Sequence, residues 1–173
     1  MNLVITGEVG AGKTSWCREY ACRLRSSGMA VGGVICPAIF EEEVKTGYRV
    51  TDLLSGASAT IGTLGSPADV PGEKAGRYLL SDAGLTFAKQ AIDKAVEIGC
   101  DVVFLDEIGH LELAGKGLAG SAMMAYNRRG VSTVSIVRKS LLSDFVRTFT
   151  ASLANGRFVI RDIGLRDNLE SGN

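Results

Sequence analysis

Near the start of the chain, Gly7-Glu8-Val9-Gly10-Ala11-Gly12-Lys13-Thr14 fits the pattern G-x-x-x-x-G-K-[ST], and Ser15 follows it. These residue types bind polyphosphate for a physical reason. Glycines let successive backbone N–H groups turn inward around an anion, and the positive end of a following helix adds to the field. Lys13 can reach the β- and γ-phosphates, and the Thr14 hydroxyl can ligate Mg²⁺. An apolar run, Leu3-Val4-Ile5-Thr6, leads into the segment and a helical pattern leads out of it, which is the setting in which the motif carries weight. The expected nucleotide-binding residues are therefore Gly7, Glu8, Val9, Gly10, Ala11, Gly12, Lys13, Thr14 and Ser15.

A second group of chemical residues lies far along the chain. The apolar run Cys100–Leu105 ends in Asp106-Glu107, followed by Ile108-Gly109-His110-Leu111-Glu112. An apolar strand ending in an acid is what a Walker B element requires, and Asp106 is expected to hold Mg²⁺ opposite Thr14. Glu107 is placed to orient or deprotonate a water in line with the γ-phosphate. Alone, such an acidic pair often serves only as a strand end or a helix cap. Paired with the phosphate loop, it makes Glu107 and Lys13 the expected catalytic residues, with Thr14 and Asp106 as the Mg²⁺ ligands.

The elements that must position these groups follow from periodicity. Lys13–Ser27 reads as a helix, with Trp16, Cys17, Tyr20, Ala21 and Leu24 on its apolar face and Arg18 among the polar residues opposite. Val31–Cys36 reads as a buried strand. Glu43-Val44-Lys45, a Thr46-Gly47 turn and Tyr48–Leu53 suggest an antiparallel β excursion, with Glu41–Glu43 at a solvated hairpin edge and Ala57–Thr63 as a further strand. Periodicity vanishes from Gly62 to Gly76, where a long loop is expected. Helix Ala83–Ile98, strand Cys100–Leu105, helix Lys116–Arg129, strand Val131–Val137, a short helix capped by Ser140 and strand Phe158–Ile163 complete the chain. The alternation predicts one α/β domain over residues 1–173, three-layered, with a mostly parallel sheet and an antiparallel excursion. The long separation of Thr14 from Asp106 fits the RecA-like branch of phosphate-loop NTPases, in which an extra strand lies between the two motif strands.

Composition excludes several classes. The 173 residues are 46% hydrophobic and 22% charged, and 19 Lys and Arg balance 19 Asp and Glu. A neutral chain attracts no polyanion at long range, so nucleic acid is not the favoured partner. No apolar run approaches the roughly 20 residues that span a bilayer, and an opening strand and phosphate loop leave no room for a signal peptide. The expected compartment is the cytoplasm. Cys17, Cys22, Cys36 and Cys100 show no metal-ligand spacing and read as small buried hydrophobes.

The motifs together resemble the small, cancer-related nucleoside-triphosphatase family. The resemblance is carried by Ile5-Thr6-Gly7 through Lys13-Thr14, by Gly47–Leu53, by Gly76-Arg77-Tyr78 and above all by Phe104–Gly109 followed by Glu112. It covers most of the chain and implies a cytoplasmic enzyme of RecA-like fold that hydrolyses ATP, GTP and other triphosphates to diphosphates with Mg²⁺, slowly and with loose base selectivity. Arg166-Asp167 resembles an Asn-Arg-Asp element of the family, with Leu165 where Asn is expected, and His110 replaces a commonly basic residue. Glu8 is an unusual charge within the loop, harmless if it faces solvent.

The assisting cation is open among Arg77, Arg138, Arg166 and an arginine in trans such as Arg128 or Arg129, which would need a homo-oligomer. Glu112 reads as a supporting acid or an exposed residue, and Trp16 as core rather than a base platform. Two other functions compete with hydrolysis of the triphosphate. A kinase would be expected to carry an arginine-rich lid, and Gly62–Gly76 holds only Lys74; a GTP switch or other nucleotide-binding adaptor would be expected to carry N-K-x-D, which does not occur.

Overall fold

The computed structural model describes residues 1–64, 72–75, 78–151, 153 and 157–164. Its frame is a single sheet with ten strands among those residues, in the order β10-β1-β9-β8-β2-β4-β5-β7-β6, with β3 paired to β4. The strands are β1 (Asn2–Thr6), β2 (Val31–Ile35), β3 (Ala38–Glu41), β4 (Val44–Asp52), β5 (Ser58–Leu64), β6 (Gly72–Ala75), β7 (Tyr78–Ser81), β8 (Val102–Ile108), β9 (Ser132–Val137) and β10 (Phe158–Asp162). Helices α1 (Lys13–Ser26), α2 (Asp82–Glu97), α3 (His110–Leu113), α4 (Ala119–Asn127) and α5 (Leu142–Thr150) connect them.

The sheet has two halves. Strands β10, β1, β9, β8 and β2 run parallel, and β9 lies between the phosphate-loop strand β1 and the acidic strand β8, as the RecA-like reading expects. From β4 onward the pairing is antiparallel.

Alternation along the parallel strands divides the core. Val4, Val103, Leu105 and Val137 pack on one face with α2, α4 and α5, where Tyr126, Phe145 and Phe149 interlock edge-on. Ile5, Val102, Phe104, Val134 and Ile136 face the other way, toward Cys17 and Ala21 of α1. Both faces of these strands are therefore buried, which is why they read as continuous apolar runs. Among the described residues, no helix is long and apolar enough to cross a membrane.

Several local expectations need correction. Thr46-Gly47 is no turn: it lies inside β4, and the chain reverses at Glu42 and Glu43, both left-handed with φ of 46° and 66°. Gly47 has a steric duty instead, since a Cβ there would lie 2.3 Å from the Gly62 carbonyl oxygen on β5. The supposed loop Gly62–Gly76 contains β6, hydrogen-bonded to β7. Strand β8 continues through Asp106 and Glu107 to Ile108 rather than ending before them. The helix expected over Lys116–Arg129 shortens to α4, preceded by α3. Ser140 caps nothing; it sits in a 3₁₀ turn over Lys139–Leu141 that feeds α5.

Candidate active site

The phosphate loop joins the end of β1 to the start of α1. Gly10 and Gly12 have φ of 83° and 82°, and Gly12 is the residue that opens α1. A side chain at either position would be strained, so the glycines are there for backbone shape. Lys13 folds back over the loop, donating from Nζ to the carbonyl oxygens of Gly7 at 2.9 Å and Glu8 at 2.7 Å. Burial lowers the Lys13 pKa, Arg138 lowers it too, and Glu107 and Asp106 oppose them. The Glu8 side chain is exposed to solvent, and its charge is felt at Lys13.

Strand β8, two strands away, brings Asp106 beside the loop. The carboxylate is 3% exposed, receives the backbone N–H of Cys36 at 2.8 Å and bonds the Thr14 hydroxyl. Burial pushes it up to about 7, with Glu107 adding to the shift and the Cys36, Thr14 and Lys13 contacts holding it down. Asp106 and Thr14 thus form an oxygen-only pair, one member a buried carboxylate that costs free energy when ionised. Such a donor set fits a hard divalent cation such as Mg²⁺.

Glu107 points into the same cavity and is paired with Nε of Arg138 at the end of β9. The neighbouring Lys139 instead reaches Asp162 on β10 at 2.9 Å. The cavity, about 330 Å³, is floored by Gly10, Gly12, Lys13, Thr14, Ser15, Glu107 and Arg138, with Val9 at its rim. Of the expected site residues, then, the loop, Asp106, Glu107 and Arg138 converge.

Others do not. Glu112 is buried and takes the N–H groups of Gly109 and Leu118, both at 2.9 Å, so it orders the turns that flank α3. His110 is exposed on α3. Trp16 is half-buried, with its ring 4.9 Å from Tyr20 and the Arg161 guanidinium 5.3 Å above it. Arg128 and Arg129 precede β9, at the sheet edge opposite the loop. Arg77 and Arg166 lie outside the described residues.

Sequence reading missed the second wall. Cys36, Pro37, Ala38, Phe40, Lys45 and Tyr48 line the cavity opposite the loop, together with Arg18 from α1. Cys36 could have been found, because β2 pairs with β8 and its end must lie near Asp106. Cys36 lines the cavity while also packing against the core, and Cys22 is exposed, so only Cys17 and Cys100 are fully buried as the sequence reading expects. Phe40, Lys45 and Tyr48 gave no such signal.

Comparison with known proteins joins this geometry to a family. The family profile described as NTPase matches residues 2–167. The chain belongs to that family. Within it, the chain is 33% identical over 124 residues to the nucleoside-triphosphatase THEP1 of Methanopyrus kandleri, covering 72% of this chain and 66% of that protein. It is also 33% identical over 111 residues to the nucleoside-triphosphatase THEP1 of Ignicoccus hospitalis, covering 64% of this chain and 60% of that one. The aligned parts thus span about two thirds and three fifths of the two relatives' lengths. The fold is similar to the crystal structure of THEP1 from the hyperthermophile Aquifex aeolicus, with a TM-score of 0.69, 21% identity and coverage of 94% and 90% of the two chains. A human cancer-related nucleoside triphosphatase gives a TM-score of 0.68 at 20% identity, covering 93% of this chain and 87% of that one. NTPase family membership and the phosphate-loop α/β fold are therefore as the motifs implied.

Proposed function

We propose that this chain hydrolyses nucleoside triphosphates, ATP and GTP among them, to the diphosphate and phosphate with Mg²⁺. The observation that carries the reading is that the phosphate loop, Thr14 and Glu107 line one cavity, with Asp106 buried behind it and bonded to Thr14. Names of relatives that are themselves nucleoside-triphosphatases support it.

Thr14 and Asp106 would hold the Mg²⁺, which when bound supplies positive charge to the β- and γ-phosphate oxygens. The loop amides cradle the phosphates, and Lys13 exchanges its two carbonyl partners for phosphate oxygens. Glu107 holds a water in line with the γ-phosphorus and takes its proton as the new P–O bond forms. The β–γ bridging bond breaks and its electron pair leaves on the diphosphate. Arg138 releases Glu107 and turns its guanidinium to the γ-phosphate, where a fixed cation stabilises the transferring group.

Four cysteines free of disulfides suit a reducing compartment, and we assign the chain to the cytoplasm. The test is phosphate release from ATP, GTP, CTP and UTP with no acceptor, with and without Mg²⁺, comparing wild type with Lys13→Ala. Release that needs Mg²⁺ and falls in the variant is expected. Release unaffected by Lys13→Ala would contradict the reading.

A further inference from the structure

The wall opposite the phosphate loop contains a device that the motifs do not describe. On a regular strand, residues three apart point to opposite faces. Lys45 and Tyr48 of β4 nevertheless meet, with Nζ donating to the Tyr48 hydroxyl at 2.6 Å and lying 3.9 Å from the ring centre. The pairing with β3 explains how. Ala38 faces Tyr48 and Ile39 faces Gly47, but Phe40 faces Lys45, so Thr46 is an extra residue on β4. This is a β-bulge, which inverts the alternation and re-aims a side chain. It turns Lys45 to the Tyr48 side, into the cavity that also holds Lys13, Thr14, Glu107 and Arg138.

Charge says what a lysine held there is for. Lys13 approaches the phosphates from the loop side, and Arg138 is engaged by Glu107 from the end of β9. Neither covers the side of the cavity formed by the hairpin. During transfer, negative charge is spread over three γ-oxygens, and cations aimed at them from several directions lower its energy most. Lys45 is carried on a separate element, and its ammonium is held at the Tyr48 hydroxyl and ring, contacts it can exchange for phosphate oxygens.

We propose that Lys45 is a catalytic residue that binds the γ-phosphate from the β3–β4 hairpin, with Tyr48 as its positioning residue. This rests on the triphosphatase reading above, and adds a lysine in cis to the arginines considered from sequence.

The experiment compares wild type, Lys45→Met, Lys45→Arg, Tyr48→Phe and Lys89→Met, the last a charge loss on the exposed face of α2. Single-turnover phosphate release from ATP is read beside the affinities for ADP and for a non-hydrolysable triphosphate analogue. Lys45→Met should slow release by about 10² to 10³, the range for removing one transition-state donor. It should weaken the triphosphate analogue while ADP affinity stays within about twofold, because the lost contact is to the γ-phosphate alone. Lys45→Arg should recover most of the rate, Tyr48→Phe should lose a smaller part of it with ADP affinity kept, and Lys89→Met should match wild type. Unchanged release in Lys45→Met, or equal weakening of ADP and the analogue, would overturn the proposal. Glu107→Gln run in parallel separates the two levels: if it loses release while Lys45→Met does not, only the lysine assignment fails. If wild type releases no phosphate, the analogue-against-ADP comparison still decides Lys45.

Discussion

The parallel strands β10, β1, β9, β8 and β2 carry the phosphate loop, Asp106, Glu107 and Arg138 at one edge, whereas the antiparallel strands that follow β2 carry the hairpin wall facing them. In the first half, position follows from order: parallel strands buried on both faces bring their C-terminal ends together, and the loops there form the site. In the second, position follows from departures from regularity. A bulge at Thr46, a reversal on two left-handed glutamates and a close approach at Gly47 set where Lys45 and Tyr48 point. Changes in the first half should therefore remove chemistry while sparing the fold, and changes at the bulge in the second should alter both.

The largest expected effect is on the parallel half. Chelating Mg²⁺ with EDTA should abolish phosphate release in a coupled phosphate assay while the circular dichroism spectrum stays the same. Residual full-rate release would detach the Asp106–Thr14 pair from the reaction.

Asp106→Asn sharpens the contrast, because it should lose activity and gain stability. Burial holds the carboxyl near 7 against 3.8 for an ordinary aspartate, so the folded chain retains a proton that the unfolded chain gives up. Stability of the nucleotide-free protein in EDTA should fall as pH rises from 3.8 through about 7 and level off above that. Asp106→Asn removes this dependence and should raise Tm at pH 8 by roughly 5 °C. A Tm below wild type would show that the carboxylate serves the fold.

In the antiparallel half, Gly47→Ala should cost about 1 to 3 kcal/mol in urea unfolding, because backbone must move to admit the new methyl group. It should also slow phosphate release, since Gly47 adjoins the bulge that aims Lys45. Loss of stability with full activity would uncouple the bulge from the site. The smallest effect is expected at the reversal. Glu42→Asn with Glu43→Gly should raise stability by about 1 kcal/mol, because left-handed backbone is cheaper for those residues. Activity should be unchanged.

What was legible in the sequence divides along the same line. The strand-loop-helix at Leu3–Ser26, the apolar run into Asp106-Glu107 and the intervening strand β9 are written in local glycine spacing and uninterrupted burial. Arg138 was legible as the residue at the end of that strand. The hairpin was not, because Thr46-Gly47 has the composition of a turn while Glu42 and Glu43 do not. Gly47 is required by the approach of β5, a strand more than ten residues away in sequence. Of the two readings of Glu112, burial removes the exposed one, and its partners Gly109 and Leu118 are backbone groups that no side-chain pattern announces.

The central claim is that Glu107 holds the attacking water. It is tested most directly by single-turnover phosphate release from Mg-ATP by Glu107→Gln, with ATP affinity measured alongside. The account predicts affinity close to wild type and a rate lower by roughly 10² to 10⁴, the contribution of a positioned base. A variant that binds ATP and releases phosphate at the wild-type rate would contradict it.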